Sequence, residues 1–329
     1  MKQYLLKFLF FLAYYIGIIN LFYFITRKRQ RIITYHNVIP DKYFDNSVTF
    51  DYFHFESVFD FQLNQIAKKF NFTNNLNIKN SCMITFDDGY KNNYNIAIPI
   101  LEKYLVKAIF FITYDLVRKN QTLWIDLIMK WCSFVPIGNY KISTLQLEVN
   151  NKNRLAIFQT ISAFVYQNYS LKEEIISLLD DQYSFDTLLI DKEFNDLRFS
   201  PLTIEQVAIM KKNKHKIACH TLSHDILSKL NNNQLEFEII EAEEQIDNFY
   251  NSSYFAYPFG GIAEVSVDVS RRYSISKFKH CFVNYWNFYS SINTKRIERF
   301  SLPNTKNKYI IHAHLSGLYY FLKKKIKDV

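Results

Sequence analysis

Asp87 and Asp88 stand side by side at the end of an apolar, β-favouring run in "SCMITFDDGYKNNY", residues 81 to 94. The pattern predicts a buried strand that delivers both carboxylates to its C-terminal end, with a loop beginning at Gly89. Side chains alternate faces along a strand, so the two reach one cavity only if the chain leaves the strand there. Close carboxylates in an apolar setting repel unless a proton or a cation relieves them. A metal ion is the natural relief, and "KIACHTLSHDILSKL" offers further ligands, with His220 at a strand end and His224 four residues on. Two imidazoles and one carboxylate leave positions open for water and substrate, the pattern of a catalytic metal site. Alone, an H-x-x-x-H pair more often marks satisfied core or surface histidines. Beside T-F-D-D-G at another strand end it gains force.

The elements that must hold these groups alternate in period. "RIITYHNVI" reads as a strand, and "FDYFHFESVFDFQLNQIAKKF" shows helical spacing through Phe55, Phe59, Leu63 and Ile66. Strand "CMITF", helix "NYNIAIPILEKYL" and strand "KAIFFITY" follow. Helix "LTIEQVAIMKKN" comes later, with Thr203 as N-cap and Gln206 at the capping-box position. Then come strand "KIACH", helix "NNQLEFEIIEAEEQIDNFY", strand "YFAYPFG", a short helix at 267–273 and strand "HCFVNY". Such alternation predicts an α/β fold, a parallel sheet with crossover helices that closes or nearly closes into a barrel. His36, Asp87, Asp88, His220 and Pro258 fall at strand ends, where parallel α/β folds bind ligands.

Residues 120–200 break the rhythm and read as an inserted, mainly helical subdomain, either a roof over the strand ends or a structural embellishment. The expected organisation is a hydrophobic helix at 1–28, a first part of the barrel at 29–119, the insert at 120–200, and the second part of the barrel with a basic C-terminal helix at 201–329. "YLLKFLFFLAYYIGIINLFYFI", residues 4 to 25, carries one charge, Lys7. At ~1.5 Å per residue it is long enough for the ~30 Å core of a bilayer. The alternative is a surface helix packed on the domain or lying in the membrane interface. The flank "RKRQR" favours a main domain on the cytoplasmic face, but Lys2, Lys7 and the amino terminus nearly balance it, leaving the side open.

The net charge of +9 is spread along the chain apart from Arg27–Arg31 and Lys323–Lys327, and no nucleic-acid-binding motif accompanies it. A basic surface beside an apolar segment faces anionic lipid more readily than nucleic acid. Cys82, Cys132, Cys219 and Cys281 are far apart, with no C-x-x-C pair, and read as small core hydrophobes.

"TFDDGY", "HKIACHTLSHDILSKL" and "FAYPFGG", in that order, resemble the polysaccharide deacetylase family with its NodB-homology domain, from about residue 33 to residue 303. The resemblance implies a distorted (β/α) barrel and metal-dependent hydrolysis of an acetyl group on a sugar. It makes Asp88, His220 and His224 the metal ligands and Asp87 the general base. Zn²⁺ is the first expectation for the metal, with Co²⁺, Ni²⁺ or Fe²⁺ as alternatives. Tyr257, Pro258, Phe259 and Gly260 would form the groove wall, the Phe259 N–H serving the oxyanion. The family's arginine two residues before the motif proline is replaced by Ala256, and Arg299 or Arg296 from "KRIERFSLP" is the candidate to orient the base. The late family histidine that protonates the leaving amine falls to His312, less readily His314. His36 is a further residue able to reach the site, and His215 reads as structural.

The leading expectation is therefore a membrane-associated deacetylase acting on an acetylated carbohydrate, a cell-surface polysaccharide or its lipid-linked sugar precursor. A deformylase or other C–N hydrolase on a small sugar derivative is the second reading. A degenerate glycan-binding or scaffold protein is the third.

Overall fold

Runs such as Met83–Phe86 and Ile109–Ile112 are apolar on both faces, which suits strands buried between other layers. Every residue in both is buried. The computed structural model describes residues 2–43, 53–245, 248–265, 269, 276–286 and 295–327. Along the chain its strands are β1 (Arg31–Tyr35), β2 (Asn37–Ile39), β3 (Phe53–Phe55), β4 (Asn71–Phe72), β5 (Ser81–Phe86), β6 (Ile109–Ile112), β7 (Gly138–Ile142), β8 (Leu145–Val149), β9 (Lys216–Cys219), β10 (Tyr254–Ala256), β11 (His280–Val283) and β12 (Ile297–Glu298).

Seven of them form a parallel path, β1–β5–β6–β9–β10–β11–β12, with β4 beside β5. Phe300, just past β12, makes a parallel bridge to Ile33 of β1, and its carbonyl accepts from Thr34 N–H at 3.0 Å. The result is a distorted, nearly closed (β/α) barrel. Alternation along the strands gives two cores. Ile32, Met83, Phe111, Ala218, Ala256 and Phe282 pack together on one face. Ile33, Ile84, Phe110, Ile112 and Phe255 meet the helices on the other. Thr203 and Gln206 form the expected capping box at the start of the helix Ile204–Lys212. All four cysteines are buried and unpaired.

The segment between β6 and β9 holds helices Trp124–Phe134, Arg154–Gln167, Lys172–Gln182 and Lys192–Phe199 and the antiparallel hairpin β7–β8. Its core, around Trp131, Ile161 and Leu179, continues into Ile39, Phe53 and Phe55 from the barrel side.

Two expectations are corrected. The helix expected from "FDYFHF" onward begins only at Glu56, because Phe53–Phe55 pairs in parallel with β2. The apolar stretch 4–25 is not one straight helix. Lys2–Tyr15 and Ile18–Ile25 meet at a 78° bend. Gly17 sits between them at φ 84°, a left-handed conformation that glycine adopts without strain. Phe10, Ala13 and Ile19 turn inward and pack with Ala313 and Leu318. Among the described residues no single helix is long and apolar enough to cross a membrane, though the bent pair meets the test of length and composition. The short helix expected at 267–273 lies outside the described residues, apart from Val269.

Candidate active site

Strand alternation turns Asp87 to the same side as Met83 and Thr85, where Arg299 lies over the adjoining rings of Phe111 and Phe282. Arg299 donates from Nη1 to Asp87 Oδ1 at 2.6 Å and from Nη2 to Oδ2 at 2.7 Å, and also from Nη1 to Thr85 Oγ1 at 3.2 Å. Burial alone would raise the Asp87 carboxyl. Arg299 and His220 outweigh it and hold the group below the ordinary carboxylate value.

Asp88 should by alternation point away. It does not, because its backbone turns left-handed at φ 77° and Gly89 follows at φ 103°. A side chain at residue 89 would meet Ile112 Cγ2 at 2.9 Å, so this turn needs glycine. The left-handed Asp88 is a costly conformation of the kind that clusters at functional sites. It answers how two neighbours on one strand serve one cavity.

His220 follows β9, and its Nδ1 donates to Ala256 O at 2.8 Å. A carbonyl can only accept, so Nε2 is left to present a lone pair or, if protonated, a second N–H. Thr221 and His224 are also left-handed, at φ 66° and 61°, and Thr221 Oγ1 accepts from His224 N–H at 3.0 Å. This loop, not a helical turn, brings the second imidazole round. Trp124 Nε1 donates to His224 O at 3.2 Å, and Tyr169 OH to Asp225 Oδ1 at 2.6 Å, so the 120–200 segment braces the loop.

Asp88 Oδ1 lies 3.4 Å from His220 Nε2 and 3.1 Å from His224 Nε2. One ligand atom from each of the three residues falls within 4.8 Å of the others, and all three are buried. Asp88 Oδ1 and His224 Nδ1 have no hydrogen-bond partner in the protein. Burial would raise the Asp88 carboxyl, but the two imidazoles hold it well down, and despite its own burial His220 is raised by Asp87 and Asp88. A concave set of one carboxylate oxygen and two ring nitrogens, short of donors, fits a divalent cation.

The family model for polysaccharide deacetylases matches residues 75–142 and 166–277. The chain belongs to the polysaccharide deacetylase family. Solved structures of similar fold include IcaB from Ammonifex degensii, at a TM-score of 0.54, 14% identity and coverage of 88% of this chain and 97% of that one. The Streptococcus pyogenes deacetylase PplD, determined in complex with acetate, superposes at 0.52 with 16% identity, over 84% and 92% of the two chains. A polysaccharide deacetylase from Bacillus cereus gives 0.51 and 14%, over 87% and 68%. At these identities the likeness speaks for the fold. No curated protein matches the chain. Family membership makes it a hydrolase of acetylated carbohydrate.

The candidate residues Asp87, Asp88 and His220 stand just past the C-terminal ends of strands. One cavity of about 650 Å³ is lined by His36, Asp87, Asp88, His220, His224 and Phe259 among others. Of the "YPFG" segment only Phe259 reaches it, at φ 60° and with its ring 5.2 Å from that of His224. Tyr257, Pro258 and Gly260 are buried behind it and do not line the cavity. Arg296 is elsewhere, donating to Val265 O at 3.1 Å.

The structure does not bring His312 to the site. It lies in the helix Lys308–Ser316, where Nδ1 meets Tyr23 OH at 2.7 Å, and burial pushes its imidazole down to about 4. His314 is likewise buried, stacked on Tyr319. The "YIIHAHLSG" segment is the helix that the N-terminal pair covers. His215 is structural, its Nδ1 accepting from Ala108 N–H at 3.1 Å.

Among the lining residues that sequence reasoning missed are His54, Tyr90, Asp126 and Arg198. His54 was masked by the helical reading of its segment. Its Nε2 donates to Leu302 O at 2.8 Å, and burial pushes it down to about 4. A carboxylate in the apolar "TLWIDLIMKW" was the available signal for Asp126.

Proposed function

We propose that the protein removes an acetyl group, N-acetyl first, from a sugar of a cell-surface polysaccharide or its lipid-linked precursor. The observation that carries this reading is the division of labour between adjacent carboxylates, Asp87 clasped by Arg299 and Asp88 shared by two imidazoles. Asp88, His220 and His224 would hold a divalent cation, Zn²⁺ first and Co²⁺, Ni²⁺ or Fe²⁺ otherwise. When bound, such a cation polarises the acetyl carbonyl and lowers the pKa of water toward ~7.

The chain's own groups do the rest. Asp87, ionised and fixed by Arg299, takes a proton from water as its oxygen adds to the acetyl carbonyl carbon. The Phe259 N–H donates to the developing oxyanion. As the C–N bond breaks, the nitrogen takes a proton and leaves as amine, and acetate remains. In this reading His36 supplies that proton. It lines the same cavity as Asp87 and Asp88. Of the other imidazoles there, His54 is tied to Leu302 O and His220 and His224 face Asp88. The deciding experiment is acetate release from N-acetylhexosamine oligomers by the metal-loaded protein. Release of formate alone from N-formyl sugars would favour the deformylase reading instead.

We also infer that the N-terminal helix pair seats the enzyme on a membrane surface, with the catalytic domain on the side that "RKRQR" favours. Leu9, Ile16, Leu21 and Phe24 are exposed on it, the last at 62%, and Arg27 and Lys28 follow directly. An apolar face beside basic residues suits an interface rich in anionic lipid.

A further inference from the structure

Opposite the strand ends, the cavity wall comes from the 120–200 segment and includes Ile125, Asp126, Met129, Phe158, Ser162 and Arg198. Asp126 and Arg198 are 1% and 3% exposed, with Nη2 3.3 Å from Oδ1. Oδ2 accepts from Tyr90 OH at 2.6 Å, and the guanidinium lies over the Tyr90 and Phe199 rings. Ser162 Oγ is buried without a hydrogen-bond partner in the protein.

A buried ion pair is an expensive way to fasten two elements, because desolvation offsets most of its attraction. The fastening is already supplied elsewhere. Lys91 N–H donates to Ser200 O at 2.9 Å, Leu202 N–H to Gly89 O at 2.9 Å, and Lys91 Nζ pairs with Asp196 at 2.7 Å. The pair is also close enough to the cation-binding set for Asp88 to act on both of its members.

We propose that Asp126, Arg198 and Ser162 form a sugar subsite, which holds vicinal hydroxyls of the substrate while its acetyl group lies at Asp87 and Asp88. The proposal rests on the deacetylase reading for its acetyl group but not for its sugar. A carboxylate beside a guanidinium presents an acceptor and a donor side by side. One ring hydroxyl donates to Asp126 while its neighbour accepts from Arg198, and Ser162 completes either bond. Phe158, Ile125 and Met129 offer the C–H face of the ring an apolar wall. At about 650 Å³ the cavity has the volume of a small-ligand pocket, typically about 300–1,000 Å³. That favours a chain end or a short sugar carrier over the interior of a long polymer.

The test uses the full chain with Asp126→Asn, Arg198→Gln and the milder Ser162→Ala, each checked for melting temperature against the parent. Binding of fully deacetylated glucosamine tetramer is measured by calorimetry, and turnover with the N-acetylated tetramer gives KM and kcat separately. The expected result is at least tenfold weaker tetramer binding and a matching rise in KM for Ser162→Ala and one or both charge variants, with kcat kept within threefold. Unchanged binding in folded variants, or a fall in kcat with KM unmoved, overturns the subsite. So does a parent protein that binds no tetramer. A parent that binds the tetramer in a Ser162-dependent way yet releases no acetate sinks the deacetylase reading and leaves the subsite standing.

Discussion

Arg299 meets Asp87 with both η nitrogens, at 2.6 and 2.7 Å, from a position 212 residues further along the chain. Residue 256, where the family resemblance leads one to expect an arginine, is alanine and gives its carbonyl to His220, and the guanidinium that meets Asp87 enters from past β12. The fork that fixes this buried carboxylate comes from the segment that follows β12.

Replacing that fork leaves a buried charge alone. Arg299→Gln should cost about 3–5 kcal/mol of stability, the usual penalty for breaking a buried pair. It should also lower kcat/KM by roughly 10²-fold. With the guanidinium gone, burial drives the Asp87 carboxyl upward, so a larger protonated fraction persists and the acid limb of the pH–rate profile moves to higher pH. A profile that keeps its acid limb in place would show that Asp87 is not the base.

Asp87 and Asp88 separate cleanly by substitution. Asp88→Ala, His220→Ala and His224→Ala should each lose stoichiometric divalent metal by elemental analysis. Asp87→Asn should keep the metal and still lose kcat by roughly 10²–10⁴-fold, the worth of a general base. Equal metal loss in Asp87→Asn would refute the division of labour.

His36 and His312 should part in the same way. His36→Gln is expected to lower kcat by roughly 10²-fold on N-acetyl sugars. Aryl acetates should suffer less, because a phenolate needs no proton to leave. His312→Gln, in the packing beneath the N-terminal helices, should lower the melting temperature and leave kcat alone.

Acid should unfold the protein early. Burial holds His54, His215 and His312 down to about 4 and His314 to about 3, below the value near 6.5 of an unfolded chain. The unfolded state therefore binds more protons in that window. Stability is fully present above pH 6.5 and lost as pH falls toward 4. Calorimetric melting between pH 8 and 4 measures it, and a flat profile would contradict buried neutral histidines.

The membrane proposal is read by flotation with vesicles of neutral or anionic phospholipid. The full chain should float with anionic vesicles, and Ile16→Glu with Leu21→Glu should reduce the bound fraction at least tenfold. Both residues are exposed, at 68% and 54%, so the fold should tolerate the change. Flotation unaffected by the pair would remove the helices from the role.

Local pattern determined a good deal of this protein. The apolar runs ending in Asp87 and His220, and the strand–helix alternation around them, specify a parallel α/β barrel, because burial on both faces and crossover connections leave their mark on neighbouring residues. Capping at Thr203 was legible for the same reason, being an interaction across three residues. What distance in the chain conceals, only the tertiary structure decided. Gly17 bends the N-terminal stretch because the helix Lys308–Ser316 offers it a surface. His54 reaches the cavity because β3 finds β2. Arg299, Asp126 and Arg198 become site residues through partners that closure of the barrel and docking of the inserted segment bring within reach, and no periodicity records such meetings.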